Sequence, residues 1–428
     1  MKKIYSLCST IIFVLIIHTS NFPLVKKGEI KDKFETFNVS LVNPANVALK
    51  NGLVEIRINN IKAKYHSFNE YNFFVAEGKV ELPSQTVDLN GDGIPDEIAF
   101  LVSLSPKQKK DVNVFFSPTG KVVRSYTQMA QAELGIKADY KLVNGEYTGG
   151  HFQNIDSTVV PKDHFAHDAL YRIEGPGWES DLIAYRFYLD SRNRNDITGK
   201  KTHDMIIQKM GVNDLVSNSQ ESYTKMLDWG MDIFKVGESL GIGSIAIWQN
   251  GKVNTISKVE KEECKIIDDG PIQAGILTKY FGWQVGHNKY NLASKLSINC
   301  GSRLTKVDLQ LKGKTALLCT GLAKHEGCTF LKSNNNKAKW GYIGLYGKQS
   351  LAGDNLGIAV FYNLSNLKEI TEDSLSHIII LNPANGKLNY YFAAAWEQEP
   401  NGIKNISEFK DYLNQKILEL SEPIQVSF

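Results

Sequence analysis

The chain has 428 residues, with 42% hydrophobic, 22% charged and 10% aromatic residues. This composition is that of a globular protein with room for two or three domains, and it excludes a largely disordered chain. The formal net charge is only +3, and the lysines and arginines are interspersed with acidic residues, so we expect no nucleic-acid partner.

The first residues are predicted to be an export signal. Lys2 and Lys3 precede an uninterrupted apolar run at 11–17 that is too short to span a bilayer as a permanent helix. A buried N-terminal strand is the alternative interpretation. We assign 1–24 to a signal peptide, expect a periplasmic or secreted protein, and find no later apolar run long enough for a stable membrane span.

Four cysteines remain after the predicted signal: Cys264, Cys300, Cys319 and Cys328. An even number permits two disulfides in an oxidising compartment, with three connectivities open. No C-x-x-C pair occurs, which argues against a zinc or thioredoxin-like site.

Residues 25–120 are predicted to form a small N-terminal β-sandwich. Short apolar segments alternate with polar neighbours, as at Val112, Val114 and Phe116, and this period of two is typical of half-buried strands. The following segment, 125–134, is predicted to be a helix that ends at Gly135.

A candidate calcium loop lies within this first domain. Oxygen-bearing side chains alternate around a central glycine in D-L-N-G-D-G-I-P-D-E, as in D-x-N-x-D-G calcium loops. The twelfth position, which is a glutamate in an EF-hand, is Ala99 here, so a tight Asn-Gly/Asp-Gly turn stays open as the alternative. The candidate ligands of a structural calcium ion are Asp88, Asn90, Asp92 and Asp96.

Residues 121–428 are predicted to form a second, larger all-β domain. Many short strands recur with Gly, Asn and Asp turns between them, and no β-α-β rhythm is present. Near the end, Phe409, Leu413, Ile417 and Leu420 fall at helical spacing after Ser407, which we expect to cap a helix. The chain contains neither H-E-x-x-H nor G-x-S-x-G, which argues against metalloprotease and α/β-hydrolase sites.

The densest polar region of the sequence is 151–201. Strand alternation predicts a hairpin whose one face is polar and whose other face carries Tyr171, Ile173, Tyr185 and Phe187. Such a face is either simply solvated, with cross-strand ion pairs, or the wall of a saccharide cleft. The candidate residues of that cleft are Arg172, Glu174, Arg186 and Tyr188, with His151 or His167 at the edge and Trp178 available to stack on a sugar.

Other candidate substrate-binding residues are scattered along the chain. A glycine-rich segment carries Asp232 and Lys235, and it is either a shaped loop at the mouth of a site or a structural loop. His287, His325 and Trp396 are further candidates, although each alone is more often a packed or solvated residue.

Four segments give the chain a resemblance to a known family. They are SQTVDLNGDGIPDE (84–97), YRIEGPGWESD (171–181), YRFYLDSRN (185–193) and WGMDIFKVGESLG (229–241). In these motifs the chain resembles a family of secreted bacterial proteins named only as a domain of unknown function. The resemblance implies a galactose-mutarotase-like β-supersandwich behind a small β domain. It also implies a part in the breakdown of uronic-acid polysaccharides such as pectin and ulvan, with elimination chemistry.

The first functional hypothesis is therefore a carbon–oxygen lyase that acts by β-elimination on uronic-acid oligosaccharides, either cleaving the chain or dehydrating a terminal uronate. Arg186 or Arg172 would hold the carboxylate, His167 or His151 would be the base, and Tyr188 the acid. No catalytic cofactor is expected, and the partner is an oligosaccharide or polysaccharide substrate.

Three further hypotheses stay open. A glycoside hydrolase would use a carboxylate pair, such as Glu174 with Glu179 or Asp232. A non-catalytic glycan-binding protein would bind sugar without turnover. A mutarotase or epimerase rests on fold analogy alone.

Overall fold

A computed structural model describes residues 34–212, 222–334 and 338–428, so the predicted signal peptide lies outside the described residues. Antiparallel β-sheets make up most of the molecule, which confirms the predicted all-β class. The elements of the first part are β1 (Glu35–Val42), β2 (Leu49–Arg57), α1 (Ile58–Lys64), β3 (Phe73–Glu77), β4 (Val80–Leu82), β5 (Ser84–Val87), β6 (Glu97–Leu104) and β7 (Lys109–Phe116).

The remaining chain adds 24 strands, one long helix and three short 3₁₀ turns among the described residues. The 3₁₀ turns are Arg172–Glu174, Ile207–Lys209 and Leu364–Asn366. The strands and helix are β8 (Ala130–Glu133), β9 (Gly135–Ala138), β10 (Lys141–Val143), β11 (Glu146–Thr148), β12 (His151–Asn154), β13 (Ser157–Val159), β14 (Gly177–Ser180), β15 (Ala184–Phe187), β16 (Asn195–Lys200), β17 (Gly230–Asp232), β18 (Ala246–Gln249), β19 (Lys252–Thr255), β20 (Lys261–Asp269), β21 (Gln273–Val285), β22 (Asn288–Asn299), β23 (Leu304–Lys312), β24 (Leu317–Ala323), β25 (Thr329–Lys332), β26 (Trp340–Gly347), β27 (Leu356–Asn363), β28 (Leu367–Glu372), β29 (Ser376–Leu381), β30 (Lys387–Trp396), α2 (Ile406–Ser421) and β31 (Gln425–Ser427).

The first strands form two sheets around a core of their own. Their orders are β31-β1-β7-β3-β4 and β2-β6-β5. The alternation predicted at Val112, Val114 and Phe116 is confirmed, because all three side chains are buried in this core. The outermost strand of the larger sheet is β31, which comes from the far end of the chain and pairs antiparallel with β1.

A larger sandwich occupies the rest of the molecule. A nine-stranded sheet, β13-β20-β21-β22-β23-β30-β27-β26-β25, faces two five-stranded sheets, β17-β16-β15-β14-β8 and β19-β18-β24-β29-β28. Side chains from all three sheets share one apolar core. Trp178 of β14 belongs to it and donates from Nε1 to Thr305 Oγ1 at 2.9 Å, which joins the facing sheets.

The predicted helix over 125–134 is wrong. Residues 125–129 are irregular, and β8 then pairs antiparallel with β14, placing Ala132 opposite Trp178. Ala130 and Ala132 are buried in the large core. Pairing with a neighbouring strand here outweighs local helix propensity.

The predicted C-terminal helix is confirmed as α2, with a different cap. Asn405, rather than Ser407, precedes the first turn, and its side chain accepts a hydrogen bond from the Glu408 backbone N–H. The helix lies on β26 and β27, and Phe409 sits so close to Gly357 that a Cβ there would come within 2.5 Å of the ring. Glycine at 357 is therefore what allows the helix to approach the sheet.

The four cysteines that permitted two disulfides are all free in the structure. Cys264, Cys300 and Cys319 are buried in three different apolar clusters, which accounts for their lack of pairing.

Buried polar contacts attach the N-terminal sandwich to the outer face of the nine-stranded sheet. Gln85 of β5 donates to the Gln273 carbonyl and accepts from the backbone N–H groups of Ile272 and Gln273. The Asp88 backbone N–H donates to Asp268 Oδ1 at 3.0 Å. These contacts fix the position of the sandwich over β20 and β21.

One ion pair lies fully inside the sheet that contains β14 to β16. The side chains of Glu179 and Lys200 are both 0% exposed and pair with each other. Glu179 Oε1 also accepts from Gln131 Nε2 and from the backbone N–H groups of Ile206 and Ile207. Every hydrogen bond of this carboxylate therefore holds another part of the chain in place.

We expect Lys200→Met to lower the free energy of unfolding by about 3–5 kcal/mol, because it leaves the Glu179 carboxylate buried without its cation. Denaturant unfolding followed by circular dichroism measures the change. Lys201→Met is the matched control, because Lys201 is the next residue in the chain and its side chain is exposed. We expect this variant to change the free energy of unfolding by about 0.5 kcal/mol or less. Equal stability of the two variants would show that the buried pair does not hold the sheet.

Candidate functional site

A buried arginine on β15 is surrounded by acceptors. Arg186 donates from Nε and Nη2 to Asp196 Oδ2 at 3.0 and 2.6 Å, and from Nη2 to Asp232 Oδ2 at 2.7 Å. Its Nη1 donates to Tyr223 Oη at 2.6 Å, and Tyr188 Oη accepts from Nη2 while donating to Asp196. We call the following residues the Arg186 cluster: Glu174, Arg186, Tyr188, Asp190, Arg192, Asp196, Tyr223 and Asp232.

Strand register brings the centre of the cluster together. Arg186 lies directly opposite Asp196 across β15 and β16, and Thr198 lies opposite Asp232 across β16 and β17. Cross-strand neighbours on one face of a sheet are close enough to form ion pairs. The alternate residue on β15, Tyr185, faces the apolar core, as the sequence alternation predicted.

Glu174 links the buried cluster to the surface. Its Oε2 lies 3.4 Å from Arg186 Nη1, and its Oε1 accepts from Arg192 Nη2 at 2.7 Å. The same Oε1 is 2.7 Å from Nδ1 of His167, whose side chain is 75% exposed. The cluster thus ends in a histidine–glutamate pair at the surface.

The backbone that carries this pair is strained. His167, Ala169, Ile173 and Glu174 have φ values of 68°, 63°, 55° and 65°. A left-handed conformation is costly for residues other than glycine and is a clear outlier for β-branched Ile173. Such strain costs about 1–3 kcal/mol per residue and concentrates at functional sites. The predicted hairpin strand that carries Tyr171 and Ile173 is wrong for the same reason, since left-handed residues cannot continue a strand.

Buried packing maintains the strain at Ile173. Its side chain lies in an apolar cluster with Ala184, Ile206, Ile207 and Met210. The next residue is held by its backbone, because the Glu174 carbonyl accepts from the Leu189 N–H at 2.9 Å. The Glu174 carboxylate is therefore directed toward the arginines by contacts on both sides.

Burial and charge shift the pKa values inside the cluster. Burial, reinforced by Asp196, raises the pKa of Asp232 to about 7 despite the opposing effect of Arg186. Burial also raises the pKa of Tyr188, so this phenol stays protonated. Four carboxylates accompany two guanidinium groups, and this excess of acidic groups acts on the pKa of Asp232 in the same direction as burial.

Five residues predicted from the sequence meet in or at this cluster: His167, Glu174, Arg186, Tyr188 and Asp232. Arg172, which was predicted to share their face, does not. It pairs with Glu133 and donates to the Gln208 carbonyl, because the turn at Arg172–Glu174 breaks the predicted alternation.

His151 lies with Arg172 in a separate cavity of ≈ 370 Å³. The imidazole Nδ1 is 3.5 Å from Asp139 Oδ2, and its side chain is exposed. The structure therefore divides the two candidate histidines between two sites, and only His167 contacts the Arg186 cluster.

The two tryptophans predicted to contact sugar are core residues instead. Trp178 is fully buried and stacks near Tyr185. Trp396 is fully buried against Gly199 and donates from Nε1 to Asp354 Oδ1 at 2.8 Å. Neither ring has a face left for a saccharide.

The remaining candidates lie elsewhere. His325 stacks on Phe234, and its Nε2 is 3.0 Å from the Lys235 carbonyl, so His325 and Lys235 line one common surface cavity of ≈ 390 Å³. His287 is exposed in the turn between β21 and β22.

Sequence reasoning gave no role to Arg192, Asp196 and Tyr223. Arg192 and Asp196 lie within the polar region 151–201, but no pattern distinguishes them from solvated charges. Tyr223 reaches Arg186 from outside that region, and only the fold brings them together.

The predicted calcium loop is closed by its own hydrogen bonds. Asp88 accepts from the N–H groups of Asn90, Gly91 and Gly93. In the same way, Asn90 accepts from Asp92 N–H, Asp92 from Ile94 N–H, and Asp96 from Leu89 N–H. Over the described ranges, no group of three or more His, Cys, Asp or Glu residues is arranged to hold a metal ion. The geometry matches the tight-turn alternative, and calcium stays a prediction.

Comparison with known proteins gives one extensive match. A family model described as "Domain of unknown function (DUF4861)" matches residues 41–426. No curated protein matches the sequence.

Solved structures show only distant likeness. An alpha-mannosidase from Enterococcus faecalis V583 aligns at 9% identity over 92% of this chain and 46% of its own, with a TM-score of 0.45. A Glycosyl Hydrolase Family 38 protein from Enterococcus faecalis aligns at 10% identity over 92% and 47%, with a TM-score of 0.43. An aldose 1-epimerase structure from Klebsiella pneumoniae aligns at 9% identity over 91% and 96%, with a TM-score of 0.25. The chain spans about half the length of the first two, and scores below 0.5 carry no functional argument.

Calcium binding at the loop can be tested directly. If the loop binds calcium, chelation should lower the melting temperature by mass action, and Asp92→Ala should reproduce the drop without chelator. Differential scanning calorimetry with and without EDTA measures both. An unchanged melting temperature in EDTA would leave only the turn.

Proposed function

We propose that this chain, which belongs to the family described as Domain of unknown function (DUF4861), is a carbohydrate-active enzyme. Its reaction is β-elimination at a carbon–oxygen bond of a uronic-acid oligosaccharide, which cleaves the chain or dehydrates a terminal uronate. The observation that supports this most is the pairing of the exposed His167 with Glu174 on strained backbone above a buried arginine.

His167 has the geometry of a general base. Its Nδ1 is 2.7 Å from a Glu174 oxygen, and a carboxylate only accepts hydrogen bonds, so the neutral tautomer that suits this contact carries its proton on Nδ1. The lone pair is then on Nε2, on a side chain that is mostly exposed. A base oriented by a neighbouring carboxylate is a recurring arrangement in proton-transfer enzymes.

Arg192 is the better candidate for the uronate carboxylate. The donors of Arg186 are already used by Asp196, Asp232, Tyr188 and Tyr223. Arg192 uses Nε and Nη2 for Asp190 and Glu174, whereas its Nη1 has no hydrogen bond to a described residue, and its side chain is partly exposed. Neutralising the carboxylate acidifies the C5 proton.

The elimination step transfers one proton to His167 and one proton from a tyrosine. His167 Nε2 takes the C5 proton, the C4–O4 bond breaks, and its electrons leave with O4 while a C4=C5 double bond forms. A tyrosine hydroxyl protonates the departing oxygen. Tyr223 is better placed for this than Tyr188, because Tyr223 is half-buried whereas Tyr188 is buried and donates to Asp196.

Hydrolysis fits the geometry less well. A glycosidase needs two carboxyl groups that flank the substrate. Asp190, Asp196 and Asp232 are buried, and Glu174 is the only carboxylate of the Arg186 cluster with a partly exposed side chain. Glu179 is fully buried with Lys200 and is a structural residue.

We also propose that the protein is exported, on the strength of the predicted signal at 1–24. No helix in the described ranges is long and apolar enough to cross a membrane. N-terminal sequencing of the protein recovered outside the cytoplasm should begin after about residue 20–25. An intact Met1 on that material would contradict cleavage.

Replacement of the proposed base should remove elimination. We expect His167→Gln to lower kcat by about 10²- to 10⁴-fold on a uronyl oligosaccharide that can undergo elimination, because general-base catalysis contributes that factor. The near-ultraviolet absorbance of the unsaturated product measures the rate. The melting temperature should change little, since the imidazole is exposed.

Two controls make this test specific. His66→Gln alters an exposed histidine in the N-terminal sandwich and should leave kcat unchanged. His151→Gln tests the other candidate base. Loss of activity in His151→Gln alone would move the site to the Arg172 cavity, and new reducing ends without absorbance would identify a hydrolase. Sugar binding with neither product would identify a glycan-binding protein.

A further inference from the structure

A further polar cavity lies outside the Arg186 cluster, between the N-terminal sandwich and the nine-stranded sheet. Its volume is ≈ 580 Å³, which is within the usual range for small-ligand sites. Glu55, Arg57 and Glu97 line it from the sandwich, and Lys295 and Lys306 line it from the sheet.

The cavity is on the outer face of the nine-stranded sheet. Along β22, Leu296 and Ile298 point into the large core, and the alternate residues Lys295 and Ser297 line the cavity. The sheet and its core therefore separate this cavity from the Arg186 cluster on β15 to β17.

Lys295 is the residue that makes this cavity a candidate binding site. It is only 8% exposed, yet its ammonium makes no hydrogen bond or ion pair with a described residue. An unpaired charge is costly to bury. Burial accordingly lowers the pKa of Lys295, and Asp268, Glu55 and Asp308 oppose that effect.

The other charges around Lys295 are largely committed to one another. Arg57 Nε is 2.8 Å from Glu97 Oε1, and Lys306 Nζ is 3.0 Å from Asp308 Oδ2. Glu55 accepts from Gln273 Nε2 at 3.1 Å. With Lys387, the lining carries four cations and three carboxylates, and Asp268 acts on Lys295 from beside the cavity without forming an ion pair with it.

We propose that this cavity binds an acidic saccharide unit, whose carboxylate or sulfate group pairs with Lys295. Ser297, Gln310 and Asn389 supply neutral polar groups for sugar hydroxyls, and Leu277 supplies an apolar surface. That the anion is a sugar rests on the proposed function, whereas anion binding itself does not. The site would hold part of the substrate polymer away from the reacting end.

Site-specific lysine labelling tests the proposal on the full chain. Acetylation of Lys295, read by mass spectrometry, should slow roughly tenfold when digalacturonate is present at about ten times its Kd, because occupied sites are protected. Neutral galactobiose should not protect it. Lys289 is the matched control, since it lies on the same strand, is exposed and pairs with Glu260 outside the cavity.

A variant provides a second readout. Lys295→Met removes an unpaired buried charge, so we expect it to fold and to melt no lower than the wild type. In calorimetry, Lys295→Met should lose the binding of digalacturonate that is due to this cavity. Lys295→Arg should retain that binding, and Lys289→Met should leave digalacturonate binding unchanged. Turnover of a short substrate should persist in Lys295→Met, so failure of this site and failure of the proposed elimination are distinguishable.

Three outcomes would overturn the proposal. No protection of Lys295 by digalacturonate or by inorganic sulfate, together with unchanged calorimetry in Lys295→Met, would remove the site. Protection by sulfate alone would remove the saccharide assignment. Equal protection by galactobiose would show that the charge of Lys295 is not what selects the ligand.

Discussion

The buried pair of Glu179 and Lys200 is the constraint on which the candidate site depends. Burying two charges is unfavourable unless each is fully satisfied by hydrogen bonds. Glu179 achieves this by accepting from the backbone of Ile206 and Ile207 as well as from Lys200. The segment at 206–207 is thereby fixed against Ile173, whose packing maintains the left-handed turn.

That turn then determines where Glu174 points, and Glu174 Oε1 lies 2.7 Å from His167 Nδ1. A polar interaction in the interior of one sheet thus controls the position of an exposed imidazole through apolar packing. The exposed residues do not need to be rigid by themselves, because buried contacts hold the turn that carries them. Of the left-handed residues at 167–174, only Ile173 has a buried side chain, and packing sustains its strain.

The sequence predicted the parts of this molecule that follow a simple period. Alternation at Val112, Val114 and Phe116 and helical spacing at Phe409, Leu413 and Ile417 both correspond to buried faces in the structure. It failed where tertiary contacts outweigh local preference. Residues 130–133 are good helix formers that pair as a strand, and Ile173 is a good strand former held in a left-handed turn.

The same distinction applies to the sites. The sequence identified a polar region and several members of the Arg186 cluster, because charged residues at alternate positions of a strand form a pattern that can be recognised in the sequence. The sequence did not identify Tyr223 or the cavity at Lys295, and it did not distinguish Arg192 from the charged residues around it. These depend on segments far apart in the chain, and the polar contacts of Gln85 that join the sandwich to the large sheet cannot be inferred from either segment alone.

The pairing of β31 with β1 has a consequence for how the chain assembles. Ser427 lies opposite Ser40, so the first sheet acquires its edge strand only after nearly all of the intervening sequence has been synthesised. Until then, β1 presents an open edge with unpaired backbone groups, which is a surface prone to association with other chains. Contacts between such distant segments also slow folding, because loop-closure entropy must be overcome before the contact can form. The sheet that contains β1 is therefore among the last to be completed, because β31 follows every other described strand in the chain.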